Sequence, residues 1–370
     1  MASPDVPQPV TLLVPGDLNL RTGGYGYDRE IVAGLRALGW RVDIAVVDGS
    51  FPYPTAEARA QAARTLAALS DGALVLADGL AFGAMAEEAE HEAARLRLVE
   101  LVHHPLADET GVAAEAAQGF LASERRALAC TRGVIVTSPA TGRRVAEFGV
   151  PSDRIWVVPP GTAPAPQARG TRGVDANPGG TVPPVELLCV ATLVPRKGHD
   201  VLIGALARLR HLSWHLTCAG SLTLHPPTAA AVRAQLRAGS LADRVTLAGD
   251  LDPPALARLY HRADVFVLPT RHEGYGMAVA EAVACGLPVV ATATGAIPDL
   301  VDEASGAIVP MNDPGALAAA LEPLLADPET RARVTAGARA RRHQLPQWTD
   351  SARAMAAAIT RCAGNGILQR

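Results

Sequence analysis

A chain of 370 residues, 49% apolar and 19% charged, exceeds the size at which one hydrophobic core stops growing; this predicts two domains and excludes a largely disordered protein. The net charge of −3 argues against nucleic acid as the main partner, since phosphate binding calls for a basic surplus. Five scattered cysteines (130, 189, 218, 285 and 362) without CxxC spacing favour reduced, buried thiols over disulfides or zinc, no stretch reaches a membrane span, and "MASPDVPQPV" lacks a secretory pattern, so a cytoplasmic protein is expected.

The first half alternates short apolar runs with helical patterns. "VTLLVP" precedes a helix over 26–38, "VDIAVV" one over 55–70, "ALVLA" one over 81–92 and "LRLVELV" one over 110–130; "GVIVTS", a helix over 139–148 and "IWVVPP" follow. Strands alternating with helices predict a parallel, doubly wound sheet. Residues 162–184, "TAPAPQARGTRGVDANPGGTVPP", are rich in proline and glycine and read as a linker or flexible loop. The alternation then restarts with "VELLCVATL" and continues through "WHLTCAG", "RVTLAG", "DVFVLP", "LPVVAT" and "GAIVP". The expected organisation is an α/β domain over 1–161, a second over 185–345, and a final helix within 346–370 that packs back on the first. Two such Rossmann-like domains would face each other across a cleft at the carboxyl ends of their strands, where open α/β sheets bind ligands.

The chemistry-bearing residues cluster in the second domain. All but one of the 34 basic residues are arginine; the exception is Lys197 in "ATLVPRKGHD", which points to a need for a compact ammonium rather than a planar fork. Further on, "DVFVLP" runs into the turn "TRHEGYG" and then an apolar helix interrupted by Glu281. A lone carboxylate in such a helix needs solvent, a cation or ligand hydroxyls. Glu273 sits in the turn itself, flanked by Gly274 and Gly276, which allow close backbone approach to a ligand. In the first domain, Gly23 and Gly24 are expected between the first strand and its helix. They form neither a GxGxxG fingerprint nor a phosphate loop with lysine. Tyr25 and Tyr27 read equally as lid contacts or core. "LVELVHHPL" ends a strand with His103 and His104, either of which could face a ligand. Ser138 and Gly161 are explained almost as well by helix capping and hinge geometry.

Glu273 and Glu281 form the E-x7-E spacing, and "EGYGMAVAEAVACGLPVVATATGAIPDLV" with "VATLVPRKGHDVLIGAL" resembles the retaining glycosyltransferases called group 1 or family 4. That resemblance implies the GT-B architecture and sugar transfer from a nucleotide-diphosphate sugar, with no cofactor and no metal. It implies that Lys197 contacts the donor diphosphate, Glu281 the ribose hydroxyls and Glu273 the donor sugar, within a site that includes Tyr275 and Gly295. Gly23 and Gly24 resemble the family's glycine loop. His103, with His104 as competitor, resembles its sugar-contacting histidine, and Ser138 and Gly161 its cleft-lining positions. One departure stands out: many members have arginine where this chain has Thr192, and Arg196 is the substitute. "GDLD" at 249–252 is formally a DxD metal motif but is read as a polar turn. The acceptor is expected to be a small molecule or a glycan, with peripheral membrane contact left open. Competing readings of the same architecture are a nucleotide-sugar epimerase, a sugar phosphorylase or a non-catalytic nucleotide-sugar sensor.

Overall fold

The structure, a computed structural model, describes residues 9–20, 22–171 and 183–364. The chain divides into two compact units, one of residues 1–161 with 346–370, the other of residues 162–345. Each is built on one parallel six-stranded sheet.

The first sheet comprises β1 (Val10–Pro15), β2 (Val42–Val47), β3 (Leu74–Asp78), β4 (Arg97–Val102), β5 (Gly133–Val136) and β6 (Ile155–Val157), in the order β2-β1-β3-β4-β5-β6. The central strands are nearly continuous apolar runs because helices cover both faces; Leu13, Val14, Val75, Leu98 and Ile135 are fully buried. Edge strand β2 instead exposes Ile44 and Val46. The final helix, Trp348–Gly364, belongs to this unit and packs on the helix Gly23–Ala37, where a Cβ on Gly34 would come within 2.5 Å of Ala352 Cβ. The end of the expected 346–370 segment, residues 365–370, lies outside the described residues.

The second sheet comprises β7 (Val185–Val190), β8 (Trp214–Ala219), β9 (Val245–Gly249), β10 (Val265–Leu268), β11 (Val289–Thr292) and β12 (Gly306–Val309), in the order β12-β11-β10-β7-β8-β9. The order reverses between β7 and β10. At such a switch point the loops leaving the two strands run to opposite faces and open a crevice at the strands' carboxyl ends. The loops concerned are 191–198 and 269–276, which carry Lys197 and Glu273.

Two expectations need correction. Gly23 and Gly24 do not lie between strand and helix: they are the first two residues of the helix Gly23–Ala37, whose N-cap is Thr22. The segment read as a linker is not free at its start either. Ala168 N–H donates to Cys285 O (2.8 Å), Arg169 N–H to His261 O (2.9 Å), and Thr171 Oγ1 to Asp264 Oδ2 (2.9 Å), which docks 168–171 onto the second unit. Backbone hydrogen bonding has overridden a loop-like composition. Residues 172–182 of that segment lie outside the described residues.

Candidate functional site

At the β7/β10 switch point, each loop is shaped by one glycine. Gly198 (φ +69°) turns the chain from the short 3-10 segment Pro195–Lys197 into the helix His199–Arg208, and a Cβ there would sit 2.0 Å from Pro269 O. A side chain at 198 would therefore drive the two loops apart. Gly295 (φ +56°) does the same for the Glu273 turn, since its Cβ would lie 1.8 Å from Glu273 O. The loops are then stitched together. Arg271 N–H donates to Arg196 O (2.7 Å), and Thr270 Oγ1 bonds both Arg196 O (3.1 Å) and His272 O (3.0 Å). Arg271 forks onto Asp200 (3.0 and 2.7 Å) and donates to Asn312 Oδ1 (2.6 Å).

This scaffold brings three predicted residues together. Lys197 Nζ donates to Glu273 Oε1. Arg196 Nη1 donates to His272 O (3.1 Å) and stands 3.9 Å from Glu273 Oε2. A buried carboxylate flanked by two cations is the arrangement that makes a buried charge tolerable. The same two cations form a positive pair into which a phosphate can move, the ammonium as a point charge and the guanidinium as a fork. Thr192, half-buried just beyond β7, carries no charge and contributes none to the pair. Gly274 is half-buried beside Glu273, Gly276 (φ +96°) is the N-cap of the helix Met277–Ala284, and Tyr275 is buried in the core, with burial pushing its phenol up to about 12.

Glu281 lies in the helix Met277–Ala284 and accepts a hydrogen bond from Tyr260 Oη (2.8 Å). Burial raises its carboxyl above the usual range, and the tyrosine bond opposes that shift. Tyr260, on the helix Pro253–Arg262, is held by its stacking on Phe266 (centroids 6.1 Å apart, planes 18° apart) and by a second bond to Ala278 O (3.3 Å). Sequence reading missed Tyr260. Its only signal was a polar-ended aromatic on the apolar face of an amphipathic helix, which reads as core. The helix it occupies is capped by Asp252, which accepts from Ala255 N–H (2.7 Å), so this carboxylate of "GDLD" acts as a cap.

In the first unit the strand order reverses between β1 and β3, and Asp28 of the helix Gly23–Ala37, Asp78 at the end of β3 and His103 beyond β4 form a second cluster. His103, just beyond β4, pairs through Nε2 with Asp28 Oδ1 (3.2 Å). Burial pulls the imidazole pKa down, but Asp28 and Asp78 together outweigh it and the net shift is upward. Asp78 ends β3, accepts from Leu80 N–H (2.8 Å), and is pushed up to about 7 by burial and by Asp28, with His103 opposing. Gly24 is where the helix lets this ring approach: a Cβ there would lie 3.3 Å from His103 Cδ2. His104 turns instead to Glu109 Oε2 (3.0 Å). The buried cluster thus takes His103, with two carboxylates, Asp28 and Asp78, that sequence reading did not single out.

Four remaining positions have structural explanations. Tyr25 Oη donates to Pro15 O (2.5 Å) and Tyr27 Oη to Val158 O (3.0 Å), both buried, so they are core residues with satisfied hydroxyls. Ser138 is a fully buried N-cap accepting from Thr141 N–H (3.0 Å). Gly161 packs against the start of the last helix, where a Cβ would come within 2.2 Å of Trp348 N.

Comparison with known proteins bears on the family and the fold. The family described as "Glycosyltransferase Family 4" matches residues 27–165, and "Glycosyl transferases group 1" matches residues 184–327, which hold Lys197, Glu273 and Glu281. The chain belongs to the group 1 and family 4 glycosyltransferases. Among relatives of this glycosyltransferase family, the D-inositol 3-phosphate glycosyltransferase of Xylanimonas cellulosilytica is 33% identical over 247 residues, 64% of this chain and 59% of its own length. That of Kineococcus radiotolerans is 32% identical over 261 residues, 64% of this chain and 58% of its length. The chain thus spans under two thirds of the length of these relatives. Among solved structures, sucrose-phosphate synthase from Thermosynechococcus elongatus aligns with a TM-score of 0.79 at 23% identity, covering 96% of this chain and 98% of its own. Anabaena HepE, solved with UDP-glucose, aligns at 0.72 and 18%, covering 95% and 99%. These likenesses establish the GT-B fold. Among the described residues, no helix is long and apolar enough to cross a membrane.

Proposed function

We propose that the protein transfers a sugar from a nucleotide-diphosphate donor to an acceptor hydroxyl, with retention at the anomeric carbon. The convergence of Lys197 and Arg196 on Glu273 at the β7/β10 switch point carries this reading. The donor's diphosphate takes the place beside the two cations, and Glu273, released from part of its pairing, accepts hydrogen bonds from sugar hydroxyls. Glu281, oriented by Tyr260, accepts from the vicinal hydroxyls of the ribose. On the first unit, His103, its ring oriented by Asp28, serves the acceptor.

In the reaction, the bond from the anomeric carbon to the leaving phosphate oxygen breaks while the acceptor oxygen bonds to the same face. The acceptor's proton passes to the leaving phosphate oxygen. The negative charge that grows on the diphosphate is held by Lys197 and Arg196, cations already in position, so the step is proposed to proceed without a divalent metal. Removing one such preorganised donor costs about 100- to 1,000-fold in rate.

HepE has been solved with UDP-glucose, so UDP-sugars are the first donors to test, with GDP-, ADP- and dTDP-sugars beside them. The relatives' D-inositol 3-phosphate is the first acceptor, followed by other small polyols and glycans. Purified protein with donor and acceptor should give a product whose anomeric coupling in NMR matches the donor's. An inverted product overturns the retaining mechanism. Donor binding without transfer to any acceptor favours the sensor reading, and turnover dependent on inorganic phosphate favours a phosphorylase.

A further inference from the structure

Glycosyl transfer leaves one cluster of the second unit unused. Cys189 in β7 and Cys218 in β8 are register partners on neighbouring strands, and His199 opens the next helix, directly after Gly198. Both thiols are 0% exposed and the imidazole 2%. Cys189 Sγ lies 3.9 Å from His199 Nε2, and the three ligand atoms all fall within 4.8 Å of one another. His199 Nδ1 has no hydrogen-bond partner among the described residues. Leaving a buried ring nitrogen without a partner is costly, and an aliphatic side chain at 199 would avoid that cost.

The spacing suits a metal. With metal–sulfur bonds of about 2.3 Å and metal–nitrogen bonds of about 2.0 Å splayed at 120°, sulfur and nitrogen stand roughly 3.7 Å apart. Cys189 and His199 are at 3.9 Å. No carboxylate belongs to the set, which disfavours hard cations, whereas two thiolates and an imidazole are soft to borderline donors. The lack of solvent exposure leaves little place for the water that would complete a tetrahedral zinc site.

We propose that Cys189, Cys218 and His199 form a three-coordinate site for a soft ion, copper(I) in the first place. Binding displaces the two thiol protons and forms two metal–thiolate bonds and one metal–imidazole bond, with no change in oxidation state. The ion clamps β7, β8 and the start of the helix His199–Arg208 together, directly behind the turn that presents Arg196 and Lys197. The inference does not depend on the donor assignment.

The test uses the full chain, reduced and stripped of metal, in a Cys130→Ser background because Cys130 is a partly exposed free thiol. Copper(I) is titrated against bicinchoninate and zinc against a chromogenic chelator, and the copper-loaded protein is measured by X-ray absorption. The expected result is one copper(I) per chain with a first shell of two sulfurs and one nitrogen. Cys189→Ser, Cys218→Ser and His199→Gln should each weaken binding at least roughly 100-fold, more than loss of an outer partner would. A folded chain that takes no copper(I) from the chelator overturns the proposal, as does binding that survives Cys189→Ser unchanged. Zinc bound in preference, with a four-atom first shell, overturns the three-coordinate geometry. Should the serine variants fail to fold, stoichiometry and first shell of the unsubstituted triad decide the matter alone.

Discussion

The two units hold their charged clusters in opposite ways. In the second unit, Glu273 is faced by Lys197 and Arg196, and Arg271 faces Asp200, so each acid has a cation at hand. In the first unit, acids crowd together: Asp28 and Asp78 share one imidazole, His103, and nearby Glu100 is buried, its carboxyl raised well above the usual range by burial and by Glu124 and Asp78. Burial and mutual repulsion raise the carboxyls of Asp78 and Glu100, so the charge of the first-unit cluster depends on pH. The second-unit site is therefore best probed by removing a cation, and the first-unit cluster by changing pH.

The largest expected effect comes from removing a cation. Lys197→Ala should lower kcat/KM by about 100- to 1,000-fold. Lys197→Arg should recover little of it, because a planar fork does not replace a point charge in a site that already has Arg196. Steady-state kinetics on the two variants checks this, and full rescue by arginine would remove the reason for the lone lysine. Next is Gly295→Ala. Its Cβ would overlap Glu273 O, so the turn must move, and donor affinity should fall at least roughly 10-fold together with a lowered Tm. Calorimetric titration with the donor, beside a thermal melt, separates the two losses.

The acid-rich cluster is probed by Asp78→Asn. The folded-state pKa of Asp78, about 7, lies above its unfolded value of 3.8, so its contribution is complete below 3.8 and is lost as pH rises to about 7. His103, also raised, acts in the same direction: its contribution is complete below 6.5 and fades as pH rises through its folded value. Asparagine at 78 cannot ionise, so the variant should gain stability on the order of 1–4 kcal/mol over the parent at pH 8. The gap should close as pH falls toward 4. Denaturant melts at pH 4, 6 and 8 give the comparison, and a gap independent of pH would show that Asp78 does not titrate there. The smallest effect belongs to Tyr260→Phe, which removes the hydroxyl's bonds to Glu281 and to Ala278 O, each worth about 1 kcal/mol. The bond to Glu281 opposes the rise in that carboxyl's pKa, so its loss should move the acid limb of donor binding to higher pH. A pH series of donor affinity for both proteins measures the displacement.

The same contrast explains what was legible in the sequence. Lys197, Glu273 and Glu281 were readable because each sits within one strand–turn–helix segment, and an isolated charge in an apolar helix or a lone lysine among arginines is a local signal. Asp28, Asp78 and His103 come from three separated elements, and nothing in "YGYDREI" or "LVLADGL" says that their side chains meet. Cys189, His199 and Cys218 escaped for the same reason: metal-ligand spacing is visible only when the ligands are close in the chain. The two parallel sheets were clear from strand–helix alternation. The start of the helix at Gly23 was not, because paired glycines read as a turn, whereas Thr22 supplied the cap that let the helix begin there. Proline and glycine likewise concealed the docking of 168–171, which rests on backbone hydrogen bonds and on Asp264, none of which composition reports.

The most direct measurement is a thermal-shift titration of the full chain with UDP-glucose, repeated with Lys197→Ala and Glu281→Ala, because a ligand that binds the folded state raises Tm by mass action. The account predicts a rise in Tm that grows with donor concentration and is lost in both variants, each measured against its own ligand-free melt, because Lys197→Ala leaves buried Glu273 with fewer cations and lowers the starting Tm. A rise of the same size in both variants would contradict it, because the donor would then be held away from the β7/β10 switch point.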